Sequence, residues 1–129
     1  MNDDGLYKVY LVEDNFMYSY VLEELLAGEG NYKVTAFSSA EACIDMLSNK
    51  PDVIVLDYNL DNGMDGAKAF DYIKNLKPSI PVIILSGQTD VKVAAQFLND
   101  GVFDYIEKKD KVGALEKLRV SILKATRKK

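Results

Sequence analysis

The sequence contains no histidine and a single cysteine, Cys43. Without histidine, these residues supply neither a histidine base nor a histidine metal ligand. One cysteine permits no intrachain disulfide, and without histidine it leaves no structural zinc site. Cys43 lies in the helix-like stretch AEACIDMLS, where we expect a small buried thiol that does not react. These shortages exclude histidine-dependent catalysis and are consistent with a reducing compartment.

Long apolar runs and basic patches are missing as well. No apolar run approaches the length of a membrane helix. The first residues, MNDDGLYK, are acidic where a signal peptide would be basic and then apolar. The 16 Lys and Arg residues against 20 Asp and Glu residues give a net charge of −4, which argues against direct nucleic-acid binding. The sequence therefore predicts a cytoplasmic protein without membrane contact.

Short β-rich segments alternate with segments of helical periodicity along the 129 residues. Strands are predicted over 7–12, 32–37, 53–56, 82–86 and 103–106. Helices are predicted from residue 16, over 40–48, 66–75 and 90–99, and from residue 111 onward. The third and fourth strands are apolar throughout, which is typical of strands buried on both faces of a parallel sheet. We therefore expect an α/β fold of five βα units, with helices on both faces of an open sheet.

Polar side chains stand at the carboxyl ends of four predicted strands. Glu13 and Asp14 follow the first strand, Asp57 the third and Lys108 the fifth, while Ser86 ends the fourth. Ligands of open α/β sheets bind at this edge, so we expect these groups to converge. Clustered carboxylates require a cation, and an all-oxygen set suits Mg²⁺ better than Zn²⁺. Because a carboxylate can also attack phosphorus, the pattern predicts a magnesium site with a candidate nucleophile.

Five motifs at these strand ends together resemble the receiver domain of two-component response regulators. They are the acidic pair at 13–14, VIVLD at 53–57, MDG at 64–66, VIILSG at 82–87 and DYIEK at 104–108. The chain is therefore identified as a single receiver domain over residues 1–129, with its core at 7–124. The resemblance implies a flavodoxin-like (βα)5 doubly wound parallel sheet with strand order 2-1-3-4-5.

The resemblance also implies functional roles at matching positions. Asp57 would be the phosphoacceptor, and Lys108 and Ser86 would contact the phosphoryl group. Ser86 and Tyr105 would be the switch residues. The implied cofactor is Mg²⁺, held by Glu13, Asp14, Asp57 and the backbone carbonyl of Asn59.

The resemblance further implies which partners the chain has. The phosphodonor would be a histidine kinase or a histidine phosphotransfer protein. The output would pass through the face of helix 4, strand 5 and helix 5 to a downstream protein or a fused output domain, or to a phosphorylation-dependent homodimer. Such a domain is not an enzyme beyond self-catalysed phosphotransfer and autodephosphorylation. The chain is either a whole single-domain regulator or the receiver of a longer protein.

Three positions depart from the family pattern. Asp61 stands where the family usually has proline, and the loop from Asp57 to Gly66 is one residue longer than usual. Lys109 replaces the proline that usually follows the lysine, so we expect a trans peptide bond there. Lys109 is also a rival to Lys108 for the role of the family's lysine at the end of the fifth strand. Tyr58 directly follows the acceptor and is expected to narrow access to it.

Simpler interpretations of the same residues stay open. Asp14 alone could be the N-cap of the first helix, and Lys108 could be only a salt-bridge partner of Asp57. The chain could then be a pseudo-receiver, a protein-interaction module without phosphotransfer. A small Mg²⁺-dependent phosphohydrolase shares aspartyl-phosphate chemistry, but 129 residues leave little room for a substrate pocket.

Overall fold

The computed structural model describes residues 5–60, 63–87 and 90–127, except for the side chain of Lys111. The strands are β1 (Tyr7–Val12), β2 (Tyr32–Phe37), β3 (Val53–Asp57), β4 (Val82–Ser86) and β5 (Asp104–Glu107). The helices are α1 (Phe16–Ala27), α2 (Ala40–Asp45), α3 (Gly66–Leu76), α4 (Val91–Asn99) and α5 (Lys111–Arg127), with a short 3-10 helix (Leu47–Asn49) after α2.

The strands described here form one parallel sheet in the order β2-β1-β3-β4-β5. Alternate residues of β3 face opposite sides of the sheet, as the pleat requires. Val53 and Val55 pack with α1 and α5, whereas Ile54 and Leu56 pack with α2, α3 and α4. Every residue of β3 and of β4 is buried. The predicted flavodoxin-like fold, with helices on both faces, is therefore confirmed.

Asn15, and not Asp14, is the N-cap of α1. The Asn15 side-chain oxygen accepts hydrogen bonds from the backbone N–H groups of Met17 at 3.0 Å and Tyr18 at 3.4 Å. Such a cap satisfies N–H groups that have no partner within the helix. The interpretation of Asp14 as the N-cap is therefore wrong, and the Asp14 carboxylate remains available at the end of β1.

Two helices differ in detail from the predicted pattern. The helical spacing of Val112, Leu115, Leu118 and Ile122 predicts one buried stripe on α5. Val112, in the first turn of the helix, is instead 79% exposed. The helix predicted over 40–48 ends at Asp45, and the chain continues as the short 3-10 helix. The Tyr10 hydroxyl donates to the Met46 carbonyl oxygen at 2.8 Å, which holds the end of α2 against β1.

Gly66 allows α3 to begin directly against the end of β3. A Cβ atom at this position would lie 2.5 Å from the Cα atom of Tyr58 and 2.8 Å from the carbonyl oxygen of Asp57. Both neighbours are backbone atoms that cannot turn aside. The glycine of the MDG motif is therefore required by the close approach of two backbone segments next to Asp57.

We expect Gly66→Ala to lower the free energy of unfolding by about 2 kcal/mol, the usual cost of overpacking. The midpoint of urea denaturation, followed by circular dichroism, measures this change. Gly28→Ala is the matched control, because its Cβ atom would meet nothing closer than 3.5 Å. Equal stability of the two variants would contradict the assignment of the close approach.

Candidate functional site

The last backbone hydrogen bonds of the sheet bring the strand ends together. The Tyr58 N–H donates to the Leu85 carbonyl and the Lys108 N–H to the Ser86 carbonyl, each at 2.7 Å. These bonds join β3 to β4 and β4 to the residue that follows β5. These two bonds are the direct cause of the predicted convergence. The first brings Asp57, which precedes Tyr58, to the end of β4, and the second joins Lys108 directly to Ser86.

Three carboxylates meet at this edge. Glu13, Asp14 and Asp57 each offer an oxygen atom, and these oxygens all lie within 4.8 Å of one another. Glu13 is 6% exposed and Asp57 2% exposed, whereas Asp14 is exposed at the rim. Since the set contains only hard oxygen donors of one charge sign, it fits a cation such as Mg²⁺.

Lys108 lies between the two buried carboxylates. Its Nζ atom donates to Glu13 Oε2 at 2.8 Å and to Asp57 Oδ2 at 2.9 Å. The second oxygen of Asp57, Oδ1, accepts the backbone N–H of Asn59 at 3.0 Å. Both oxygens of the Asp57 carboxylate therefore accept a hydrogen bond, and these two bonds fix the orientation of the carboxylate. Lys109, the rival lysine, is exposed, and every peptide bond in the described residues is trans.

One ammonium group does not fully neutralise the two buried carboxylates. Burial, together with the hydrogen bond and the negative charge of Asp57, raises the pKa of Glu13 to about 7 despite the nearby Lys108. Burial lowers the pKa of Lys108, but its hydrogen bonds to Glu13 and Asp57 outweigh that effect and raise the pKa above its usual range. The site therefore favours added positive charge.

Ser86 and Asn59 stand at the ends of the neighbouring strands. Ser86 is fully buried as the last residue of β4. The Asn59 side-chain oxygen accepts the Gly87 N–H at 3.0 Å, and this bond connects the loop after β3 to the loop after β4. The loop that follows Asp57 is therefore held by a side-chain hydrogen bond to the loop that follows Ser86.

An aromatic cluster lies beside the site, between β5 and the helices α3 and α4. The Phe97 ring packs against Tyr58 at 5.7 Å, Phe70 at 5.8 Å and Tyr105 at 6.0 Å between ring centroids. The hydroxyl of Tyr105 is buried and has no hydrogen-bond partner among the described residues. Phe97 of α4 therefore packs against both Tyr58 and Tyr105, the predicted switch residue.

The loop with the unusual length lies only partly within the described residues. Asp61, the residue in place of proline, and Asn62 lie outside them. Beyond them, Gly63 has a φ of +73°, and the Met64 N–H donates to the Glu41 carboxylate at 3.0 Å. The first turn of α2 therefore contacts the loop that leads to Gly66, a contact that no sequence motif indicated.

Sequence reasoning also missed Tyr18. Its ring lies beneath Lys108, with the Nζ atom 5.2 Å from the ring centroid. No local motif carries this information, because the contact depends on how α1 crosses the sheet below the loop after β5.

A family model described as the response regulator receiver domain matches residues 9–119. The chain belongs to this family. It is therefore a receiver domain of the two-component response regulator type.

Among curated relatives, the chain is similar to the DNA-binding transcriptional regulator NtrC of Escherichia coli K12, with 36% identity over 100 residues. That match covers 78% of the chain but only 21% of NtrC. It is also 32% identical over 126 residues to the protein-glutamate methylesterase/protein-glutamine glutaminase of Clostridium acetobutylicum, covering 93% of the chain and 36% of that protein. The chain thus spans about a fifth to a third of the length of these relatives.

Solved structures share the fold. A response regulator receiver domain protein from Clostridium thermocellum matches with a TM-score of 0.81 at 24% identity, over 95% of this chain and 96% of that one. The receiver domain of NtrX from Brucella abortus matches with a TM-score of 0.80 at 24% identity, over 94% of this chain and 99% of that one. Within the described residues, no helix is both long and apolar enough to span a membrane.

We expect Lys108→Met to lower the free energy of unfolding of the metal-free protein by about 1–3 kcal/mol, because it leaves two buried carboxylates without their cation. Lys109→Met, at an exposed position, should change it by less than about 0.5 kcal/mol. Urea denaturation in the presence of a chelator measures both variants. A larger loss for Lys109→Met would show that the rival lysine neutralises the site.

Proposed function

We propose that this receiver domain accepts a phosphoryl group on Asp57 from a histidine kinase or a histidine phosphotransfer protein. One observation carries the proposal: a buried carboxylate, Asp57, is held by Lys108 at 2.9 Å and lies beside the acidic pair Glu13 and Asp14. A carboxylate kept only for packing or capping would need no second and third carboxylate next to it.

In the proposed step, a carboxylate oxygen of Asp57 attacks phosphorus. The phosphorus–nitrogen bond of the phosphohistidine breaks, its electron pair returns to the imidazole, and an acyl phosphate forms on Asp57. The Asn59 N–H holds Oδ1 at 3.0 Å, which orients the attacking carboxylate. The ammonium group of Lys108 can pass from the carboxylate to the phosphoryl oxygens, where negative charge gathers.

The residues that would hold Mg²⁺ are Glu13, Asp14 and Asp57, with the backbone carbonyl of Asn59 as a further oxygen ligand. When bound, Mg²⁺ supplies positive charge that offsets the carboxylates and the phosphoryl oxygens. Glu13 and Asp57 are buried and therefore well positioned, while the exposed Asp14 lies where a ligand enters. The raised pKa of Glu13, caused first by burial and then by the neighbouring Asp57, supports this assignment, because a bound cation would favour the charged form of both groups.

The proposed output is a change of the face formed by α4, β5 and α5. Ser86 would hydrogen-bond the phosphoryl group, and Tyr105 would change rotamer as Ser86 moves. The buried hydroxyl of Tyr105 has no hydrogen-bond partner among the described residues, so an alternative rotamer sacrifices no hydrogen bond of that group. Phosphorylation shifts the equilibrium between the two states of this face only if the phosphoryl group makes more favourable contacts in one of them.

We infer that residues 1–129 form one such domain and that it works in the cytoplasm. Its activity is self-catalysed phosphotransfer and autodephosphorylation and not turnover of a separate substrate. The altered face would bind a downstream protein, a fused output domain or a second copy of the chain. Direct contact with nucleic acid is not part of the proposal, because the net charge is −4.

One observation favours a pseudo-receiver as the second candidate. Lys108 already bridges Glu13 and Asp57, and such a salt-bridged site could persist without phosphotransfer. A pseudo-receiver would bind Mg²⁺ weakly or not at all, and it would stay unmodified by a phosphodonor.

We expect one added phosphoryl group on the wild type after incubation with acetyl phosphate and Mg²⁺, read by intact mass after a rapid quench. Asp57→Asn should stay unmodified because it lacks the nucleophile. Asp71→Asn is the matched control, since Asp71 is an exposed carboxylate on α3, and it should be modified like the wild type. An unmodified wild type would favour the pseudo-receiver.

Mg²⁺ binding provides a separate test of the acidic pair. We expect Glu13→Gln and Asp14→Asn each to raise the Mg²⁺ dissociation constant by about tenfold, because each replaces a negatively charged carboxylate of the site by a neutral amide. Titration calorimetry on the unphosphorylated protein measures the constants. Glu24→Gln, an exposed position on α1, should leave the constant unchanged. An equal effect of all three variants would mean that only net charge matters.

A further inference from the structure

Tyr18 lies where the proposed phosphoacceptor site meets the core. The residue belongs to the first turn of α1, is 7% exposed and packs in the cluster between the sheet, α1 and α5. The Lys108 Nζ atom lies over its ring, 5.2 Å from the centroid. This distance is within the range of a cation–π contact.

We propose that Tyr18 is a positioning residue for Lys108. Its ring keeps the ammonium group at the site when Glu13 and Asp57 take other partners. The proposal rests on the phosphoacceptor function, because only a loaded site asks the two carboxylates to bind something besides Lys108.

The contacts of Lys108 differ in whether they persist when the site binds Mg²⁺ and the phosphoryl group. Its two hydrogen-bond acceptors, Glu13 Oε2 and Asp57 Oδ2, belong to the groups proposed to hold Mg²⁺ and the phosphoryl group. Both carboxylates must then share or release the ammonium group. The ring of Tyr18 takes part in neither task, so among the contacts seen here it is the one that remains while the ammonium group passes to the phosphoryl oxygens. A lysine side chain has four flexible bonds and would otherwise be free to turn toward solvent.

Packing alone does not account for a tyrosine at this position. The Tyr18 hydroxyl is buried and has no hydrogen-bond partner among the described residues, which is unfavourable for a polar group. Leucine would fill a core position without that cost. The hydroxyl holds nothing in place, so the ring face is the part of the side chain that acts on Lys108.

Both members of the contact are fixed by the backbone. The Asn15 side chain caps α1 and accepts the Tyr18 N–H at 3.4 Å. The Lys108 N–H donates to the Ser86 carbonyl at 2.7 Å. The turn that presents Asp14 to the site therefore also places the ring, and the last bond of the sheet places the lysine above it.

The contact itself can be tested without phosphorylation. In the metal-free protein, the Lys108 Cε protons should show an upfield NMR shift from the ring. Tyr18→Leu should abolish this shift, Tyr18→Phe should keep it, and Tyr20→Leu, which changes an exposed ring on the same helix, should not alter it. A shift that survives Tyr18→Leu would overturn the proposal.

The consequence is tested by the rate of modification with acetyl phosphate and Mg²⁺. Tyr18→Leu should react about tenfold more slowly, the size expected for a partly buried cation–π contact. Tyr18→Phe should recover most of the wild-type rate because it retains the ring. In a Lys108→Ala background, Tyr18→Leu should have no further effect, because the ring acts through Lys108.

The outcomes separate this inference from the proposed function. An unmodified wild type would overturn the function and the inference together. A modified wild type with Tyr18→Leu reacting equally fast, or with both Tyr18 variants equally slow, would overturn the inference alone. Additive losses in the Lys108→Ala background would do the same. Circular dichroism checks folding, and Tyr18→Met replaces the leucine variant if that variant is unfolded.

Discussion

The charge balance between two buried carboxylates and one lysine is the constraint on which the site depends. Glu13 and Asp57 are almost completely inaccessible to water, and Lys108 contacts both within 3 Å. At an effective dielectric constant near 20, each contact is worth about 6 kcal/mol before desolvation, which offsets most of that gain. The two ion pairs therefore allow Glu13 and Asp57 to stay buried at the edge of the sheet, but their net contribution to the free energy of unfolding is small. The remaining negative charge makes the edge receptive to a cation.

The rest of the fold positions these three groups. Parallel pairing brings the ends of β1, β3 and β5 to one edge, and Gly66 permits the chain after Asp57 to turn closely against β3. The two core clusters lie on opposite faces of the sheet and leave its edge for polar groups. The hydrogen bond between Asn59 and Gly87 connects the loop that follows Asp57 to the loop that follows β4. Stability and site geometry therefore depend on the same short backbone connections.

Much of this could be predicted from local sequence. Uninterrupted apolar segments identified β3 and β4. Because the carboxyl ends of parallel strands lie at one edge of the sheet, the positions of Asp57 and Lys108 after their strands predicted that they lie close together. The capping residue was harder to predict, because Asp14 and Asn15 are both good N-caps and only the start of α1 decides between them. The exposure of Val112 and the ring of Tyr18 beneath Lys108 depend on tertiary packing, which periodicity within one helix does not encode.

The central claim is that Asp57 is the nucleophile of this site. The most direct measurement is borohydride reduction of the protein after incubation with acetyl phosphate and Mg²⁺, followed by peptide mass mapping. Reduction converts an aspartyl phosphate to homoserine, so it marks the modified residue itself. We predict homoserine at position 57, with Glu13 and Asp14 unchanged. Homoserine at position 14 would contradict it, as would a protein that stays unreduced throughout.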